Sequence, residues 1–278
     1  MITPRVDPYL DTVVHIVESR QGRPNLPSGG CPFCVGGLEA PEPYDVKAFP
    51  NRWPALGDGN CEVVLYSPQH DATFHGLGAD GVHRVVDLWA ERTLALMERP
   101  GTEYVMVFEN RGAEVGATIS HPHGQIYAFD HTPDRIARLF AAGWSPDSST
   151  ERNVAANDHW TASTSVAPVF PVSVVLAPRI LTGRLHDLTA EQRHGLAGML
   201  VDVLSRLDRL FDSPLPYMLW VNQAPRQGAG QDWLHIEIVS PWRSKGVARY
   251  IAAAEVAGGE YFNPVNPEEL AERLRALA

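Results

Sequence analysis

Tyr104-Val105-Met106-Val107-Phe108 runs into Glu109-Asn110-Arg111-Gly112 and, after a loop, into His121-Pro122-His123-Gly124-Gln125-Ile126. Further along, Tyr217-Met218-Leu219-Trp220-Val221 runs into Asn222-Gln223-Ala224-Pro225 and then into Leu234-His235-Ile236-Glu237-Ile238. Working outward, the same features precede both stretches in the same order. Phe49-Pro50-Asn51-Arg52-Trp53-Pro54 answers to Asp158-His159-Trp160, and Val63-Val64-Leu65-Tyr66-Ser67-Pro68 to Val174-Val175-Leu176-Ala177-Pro178. His75-Gly76-Leu77 answers to His186-Asp187-Leu188, each followed by a long amphipathic segment. Self-similarity of this kind marks an internal duplication.

The amphipathic segments read as helices. Val82, Val85, Val86, Trp89 and Leu96 recur at helical spacings, as do Leu196, Leu200, Val203, Leu204 and Leu207. Thr189 with Gln192 three residues on forms a capping box. The Val/Tyr/Phe-rich runs are short and β-prone. Two strands, a helix and two strands per copy predict an α+β fold, with antiparallel sheet and helices on one side. A poorly patterned segment from Asp130 to Asn157 joins the copies. Asn266-Pro267-Glu268-Glu269 starts a last helix that buries Leu270, Leu274 and Leu277.

The chain has 278 residues, enough for about two domains. At 44% apolar and 20% charged it can bury a core, and no stretch approaches a membrane span. With 33 acids against 23 bases its net charge of -10 argues against nucleic-acid binding, though a few local arginines suffice for a small phosphorylated ligand. The start of the chain lacks the apolar run of a signal peptide, and three cysteines make no disulfide framework, which predicts a cytosolic protein. Cys61, away from the Cys31-x-x-Cys34 pair, reads as a small buried hydrophobe.

On a strand, residues two apart share a face, so His121, His123 and Gln125 form a polar row on an otherwise apolar run. Gly124 between them reads as a place where a ligand approaches the backbone. A neutral histidine held in one tautomer can act as a nucleophile. Glutamine can hydrogen-bond but cannot supply a proton. The leaving group must therefore depart unprotonated, as a sugar 1-phosphate does, its second pKa being about 6. This points to nucleotidyl transfer.

The run from Phe108-Glu109-Asn110-Arg111-Gly112 to His121-Pro122-His123-Gly124-Gln125-Ile126 resembles the galactose-1-phosphate uridylyltransferase family of the histidine-triad superfamily. The resemblance extends to Arg20-x-x-Arg23-Pro24, Cys31-Pro32-Phe33-Cys34, Asn51-Arg52-Trp53-Pro54-Ala55-Leu56, Ser67-Pro68-Gln69-His70 and the C-terminal segment. It implies a histidine-triad-like α+β fold of two tandem halves, each with an antiparallel sheet and a long helix. Residues 1–145 would carry a zinc site and the nucleophile, and residues 146–278 would serve sugar-phosphate binding and dimerisation. It also implies ping-pong transfer: His123 takes a uridylyl group from UDP-glucose and passes it to galactose 1-phosphate, while Gln125 bonds a phosphoryl oxygen. Arg20, Arg23, Asn110 and Thr118 would contact phosphate, and Phe33 and Asn51 the base and ribose.

The resemblance further implies a structural zinc site of Cys31, Cys34, His70 and His121, choosing His70 over His75; a C-x-x-C with two histidines suits tetrahedral zinc. Arg249, Tyr250 and Glu255 would meet the sugar, with a homodimer as the working form. In the second copy, Glu237 stands for the glutamine and Trp233 for the first histidine, so His235 reads as a structural remnant. Asn222 and Glu237 also stand where some relatives have histidine ligands to a second metal, so no second metal is expected. The alternatives are a transferase or phosphorylase using another nucleoside diphosphate sugar or sugar 1-phosphate, and a histidine-triad nucleotide hydrolase or binding protein.

Overall fold

The computed structural model describes residues 3–22, 30–57, 59–228 and 230–278. A two-stranded hairpin, β1 (Thr3–Val6) with β2 (Val13–Ile16), opens the chain. The first expected unit follows as β3 (Lys47–Pro50), β4 (Cys61–Leu65), α1 (Gly78–Met97), β5 (Tyr104–Arg111) and β6 (His123–Phe129). The joining segment contains a helix, α2 (Asp134–Ala141), and a strand, β7 (Asn153–Ala156). The second unit repeats the first as β8 (Trp160–Thr164), β9 (Val172–Pro178), α3 (Ala190–Arg209), β10 (Tyr217–Asn222) and β11 (His235–Ser240). A small ribbon, β12 (Trp242–Ser244) with β13 (Val247–Ala248), and two helices, α4 (Ala253–Gly258) and α5 (Pro267–Arg275), complete it.

Nine strands form one antiparallel sheet in the order β3-β4-β6-β5-β10-β11-β9-β8-β7. Apart from β7 on the edge, the order reads the same from either end when matching strands are exchanged. The local dyad lies between β5 and β10, where Leu219 pairs with Glu109. The two repeats thus do not keep separate sheets. Each satisfies the other's open edge, whose bare N–H and C=O groups would otherwise face solvent.

Both long helices lie on one face, packed against each other. Every apolar position of α1 and α3 expected from the helical period is buried, and the Thr189–Gln192 capping box forms in both directions (3.2 and 2.8 Å). The Asn266 side chain caps α5 and Leu270 and Leu274 are buried, with Leu277 partly so. Along β6, Gly124, Ile126 and Ala128 are buried towards the helices, whereas His123, Gln125, Tyr127 and Phe129 are half-buried on the other face. Strand period alone therefore delivers the polar row to the face without helices. Among the described residues no helix is long and apolar enough to cross a membrane.

The packing of α3 predicts the cost of a cavity. Leu200, fully buried in the shared core, replaced by alanine should lose about 2–5 kcal/mol in urea unfolding with little change in m-value.

Candidate active site and metal centre

His123 Nδ1 lies 2.7 Å from the backbone oxygen of His121. A carbonyl oxygen only accepts, so Nδ1 carries the proton and the lone pair sits on Nε2. Phe33 packs against the imidazole, ring centroids 5.0 Å apart. Two residues along the same face, Gln125 Oε1 accepts from Asn51 Nδ2 (3.3 Å), while Asn51 Oδ1 accepts from the Trp53 backbone N–H (2.8 Å). Asn51 is held by its own turn and in turn orients the glutamine, so that the Gln125 amide NH₂ is the end left to donate to a ligand.

His121 points the opposite way chemically. Its Nε2–H donates to the carbonyl of Ser67 (2.7 Å), leaving Nδ1 to face Cys34 Sγ at 3.7 Å. His70 Nδ1 lies 3.5 Å from the same sulfur. One ligand atom from each of Cys31, Cys34, His70 and His121 falls within 4.8 Å of all the others. Zinc bonds of about 2.3 Å to sulfur and about 2.0–2.1 Å to nitrogen imply S···N edges of about 3.5 Å in a tetrahedron, so the set fits a metal and is compatible with zinc. Burial and the neighbouring Cys31 push the Cys34 thiol up, and burial pushes His121 down. A cation held here would displace the Cys34 proton from a neutral setting.

Tyr44 was not legible from sequence. Its hydroxyl lies 2.7 Å from the Phe33 carbonyl, 2.9 Å from that of Ser67 and 2.9 Å from His121 Nε2, so it links three segments carrying the cluster. Such partners fix ligand orientation around a metal. Its contacts are all distant in sequence and no local pattern announces it. His75, the alternative ligand, instead stands 3.7 Å from Asp208.

Other predicted residues distribute unevenly. Asn110 is half-buried on the same face as His123; with Phe108 opposite Gln125, carrying that register on by two residues brings Asn110 level with His123. Thr118 is half-buried in the loop before His121. Arg20 lies in a short turn, near enough for its charge to act on the Cys61 thiol, which burial raises; Cys61 itself is buried. Arg23 lies outside the described residues. Glu255 is buried and Arg249 half-buried, and they spend their charges on each other; Arg249 also donates to the Val169 carbonyl (3.0 Å), while Tyr250 between them is exposed.

Gly124 needs a correction. Its missing side chain points to the helices and not to a ligand: a Cβ there would stand 2.2 Å from the Tyr66 hydroxyl and 3.0 Å from the Phe108 carbonyl. The glycine admits a tyrosine from behind.

The second copy repeats the tautomer device and blocks it. His235 Nδ1–H donates to the Trp233 carbonyl (3.0 Å), but its Nε2 accepts from Asn222 Nδ2 (2.9 Å). Trp144, from the joining segment, stacks on the ring with centroids 3.6 Å apart and planes 14° apart. Glu237 accepts from Asn222 (2.8 Å) and Trp220 (3.2 Å) and pairs with Arg135 of α2 (3.2 Å). Burial lowers the pKa of His235 to about 4.

A duplicated strand-and-helix unit that sets His123 and Gln125 on its helix-free face defines an α+β protein of two tandem repeats sharing one sheet. The chain belongs to the galactose-1-phosphate uridylyltransferase family: the family's N-terminal domain model matches residues 44–133 and its C-terminal domain model residues 115–278. The galactose-1-phosphate uridylyltransferase of Thermotoga maritima is 33% identical over 312 aligned positions, covering 99% of this chain and 98% of that protein. That of Streptomyces lividans is 34% identical, covering 99% and 86%. Among solved structures, a uridylyltransferase superposes with a TM-score of 0.92 at 28% identity, covering 100% of this chain and 98% of that one. An ADP-glucose phosphorylase from Arabidopsis thaliana shares the fold, with a TM-score of 0.79 at 20% identity over the whole of both chains.

The Trp144 stack is testable. Trp144→Ala should open His235 to water and raise its pKa from about 4 towards the ordinary 6.5, followed by the imidazole ¹⁵N shifts across a pH titration.

Proposed function

We propose that this chain transfers a uridylyl group from UDP-glucose to galactose 1-phosphate through a covalent intermediate on His123. The observation that carries the reading is the bond from His123 Nδ1–H to the His121 carbonyl, which leaves the lone pair on Nε2, with the Gln125 amide alongside on the same face. Nε2 attacks the α-phosphorus of UDP-glucose; the bond to the bridging oxygen breaks and glucose 1-phosphate leaves with the electron pair. A phosphate oxygen of galactose 1-phosphate then attacks the same phosphorus and the P–N bond breaks, returning the pair to Nε2. Neither leaving group needs a proton, which agrees with glutamine in the third place of the row.

Gln125 steadies the non-bridging oxygen where charge develops. Asn110, Thr118, Arg20 and Arg23 are assigned to the phosphates, and Phe33 and Asn51 to the base and ribose side, with Asn51 also orienting Gln125. Zinc, held by Cys31, Cys34, His70 and His121, would supply a rigid tie between the N-terminal loop and the strand of the nucleophile. Residues 1–145 thus carry the chemistry. In residues 146–278 Arg249 and Glu255 hold the loop that presents Tyr250 to the sugar. Exposed Tyr250, Val256 and Phe262 support a homodimer that brings this loop to a partner's cleft. Three free cysteines, two of them needed as metal ligands, agree with a reducing cytosol.

Incubation with UDP-glucose labelled on the α-phosphate should leave acid-labile label on His123. His123→Ala should abolish it and lower transfer at least about a thousandfold, whereas Gln125→Ala should cost on the order of a hundredfold. Label taken equally from ADP-glucose, or released as free nucleotide with no sugar phosphate present, would favour the alternative donors or a hydrolase. Elemental analysis should find zinc in the purified chain, lost in His70→Ala and Cys34→Ala together with thermal stability.

A further inference from the structure

Behind the nucleophile, between the sheet and its helices, lies a buried polar cluster. Phe108 of β5 pairs with Gln125 of β6, so the next residues along, Glu109 and Gly124, come level, with Glu109 facing the helices. Glu109 Oε1 accepts from the Tyr217 hydroxyl (2.9 Å). The Tyr66 hydroxyl reaches into the space left by the missing Cβ of Gly124 and interacts with the Glu109 carboxyl. Glu109, Tyr66 and Tyr217 are all buried, and Trp89 of α1 packs against Tyr66 (5.9 Å between centroids). Oε2 of Glu109, the Tyr66 hydroxyl and the Trp89 indole N–H are buried together without a partner of full hydrogen-bonding geometry among the described residues.

We propose that Glu109 is a positioning residue for the nucleophile: with the Tyr66 and Tyr217 hydroxyls it forms a sealed prop beneath Gly124 that fixes where β6 presents His123. The inference rests on the reading that His123 carries the nucleotidyl group, and it assigns a role to the acid of the Phe108-Glu109-Asn110 motif that phosphate binding leaves unused. A buried acid is a costly way to fill a core position, and leucine would fill it with no polar group to satisfy. A polar prop anchored by the Tyr217–Glu109 bond, unlike a hydrocarbon, gives the Tyr66 oxygen under the strand a charged or polar group to face at a set height.

The groups that face this carboxyl are Tyr217 from β10, Tyr66 just past β4 and Arg111 on β5, with Trp89 of α1 on the far side of Tyr66. Arg111 is itself held by both oxygens of Asp208 from α3 (2.7 and 2.9 Å), beside His75. Burial pushes the Glu109 carboxyl up to about 7, against the pull of Tyr217, Arg111 and Tyr66. The neutral acid has a proton to give the Tyr66 oxygen while accepting from Tyr217; the carboxylate has none and leaves a charge in the core. The prop works in its neutral form, and it weakens as pH rises through 7.

The test compares the first half-reaction, by rapid quench with labelled UDP-glucose, in the wild type and in the full-length Glu109→Gln, Glu109→Leu and Tyr66→Phe variants. Glu109→Gln, which mimics the neutral acid, should keep the nucleotidylation rate and lose the wild-type decline with midpoint near pH 7. Glu109→Leu and Tyr66→Phe should slow nucleotidylation on the order of tenfold to a hundredfold with KM for UDP-glucose little changed, since a small misplacement costs the transition state more than binding. If a variant melts early, rates are compared per folded molecule, and Tyr66→Phe, which removes one oxygen, decides. Wild-type adduct formation with Glu109→Leu and Tyr66→Phe matching it in rate and pH profile would overturn the positioning role. Failure of the wild type to form any adduct would instead overturn the histidine-intermediate reading itself.

Discussion

The hydrogen bond from His123 Nδ1–H to the carbonyl of His121 joins the two centres of this molecule. The carbonyl that sets the tautomer of one imidazole belongs to the residue whose own imidazole completes the Cys/His cluster. His121 is in turn fixed from the far side by Ser67 and Tyr44. Order therefore passes along two residues of backbone, from four side chains placed to hold a metal to one nitrogen lone pair. The tasks are divided at the strand's start: His121, just ahead of β6, is fully buried in the cluster, while His123, the first residue of β6, is half-buried on the helix-free face.

The fold was legible where burial has a period. α1 and α3 announce themselves because a helix against a sheet must bury one stripe, and the Thr189–Gln192 box is a local signal for a local bond. The inner strands β4, β5, β9 and β10 were legible as apolar runs, whereas β3 and β8 (Lys47–Pro50 and Trp160–Thr164) carry no such run. β7 was not, since Val154 alone is buried there, and the β1–β2 hairpin exposes Val6, Val13 and Val14 and so shows no alternation. The row His121, His123 and Gln125 could be read from spacing alone. Tyr44 and Trp144 could not, because each acts on a residue far along the chain from a segment without period. The role of Gly124 was misread for a related reason: sequence says that a side chain is missing, but not which face of the sheet fills the gap.

Duplication explains both the sheet and the asymmetry of its two ends. The same local geometry puts an Nδ1–H on a carbonyl two residues back at His123 and at His235. What differs lies on the open face above. Over His123 the N-terminal segment contributes Phe33 at a tilt, leaving His123 and Gln125 half-buried; over His235 the joining segment lays Trp144 flat, and Arg135 closes on Glu237. A desolvated imidazole held near pKa 4 with its lone pair already bonded is a poor nucleophile, so the second copy keeps the scaffold and the tautomer but closes the ring nitrogen.

The placement of charge in the first repeat follows from the same division of faces. Glu62 of β4 turns to the helices, where Arg92 of α1 grips both its oxygens (2.7 and 2.9 Å), and Glu109 is buried on that side as well. The helix-free face around His123 instead offers Gln125, Asn51 and Asn110, amides with no proton to exchange. An acid on that face would repel a pyrophosphate, and a general acid would have no work to do with a leaving group already stable as a phosphate ion. In this region of a chain of net charge -10, the sheet thus sends Glu62 and Glu109 inward and turns neutral donors outward. The alternation of side chains along β4 and β5 is what keeps those two populations apart.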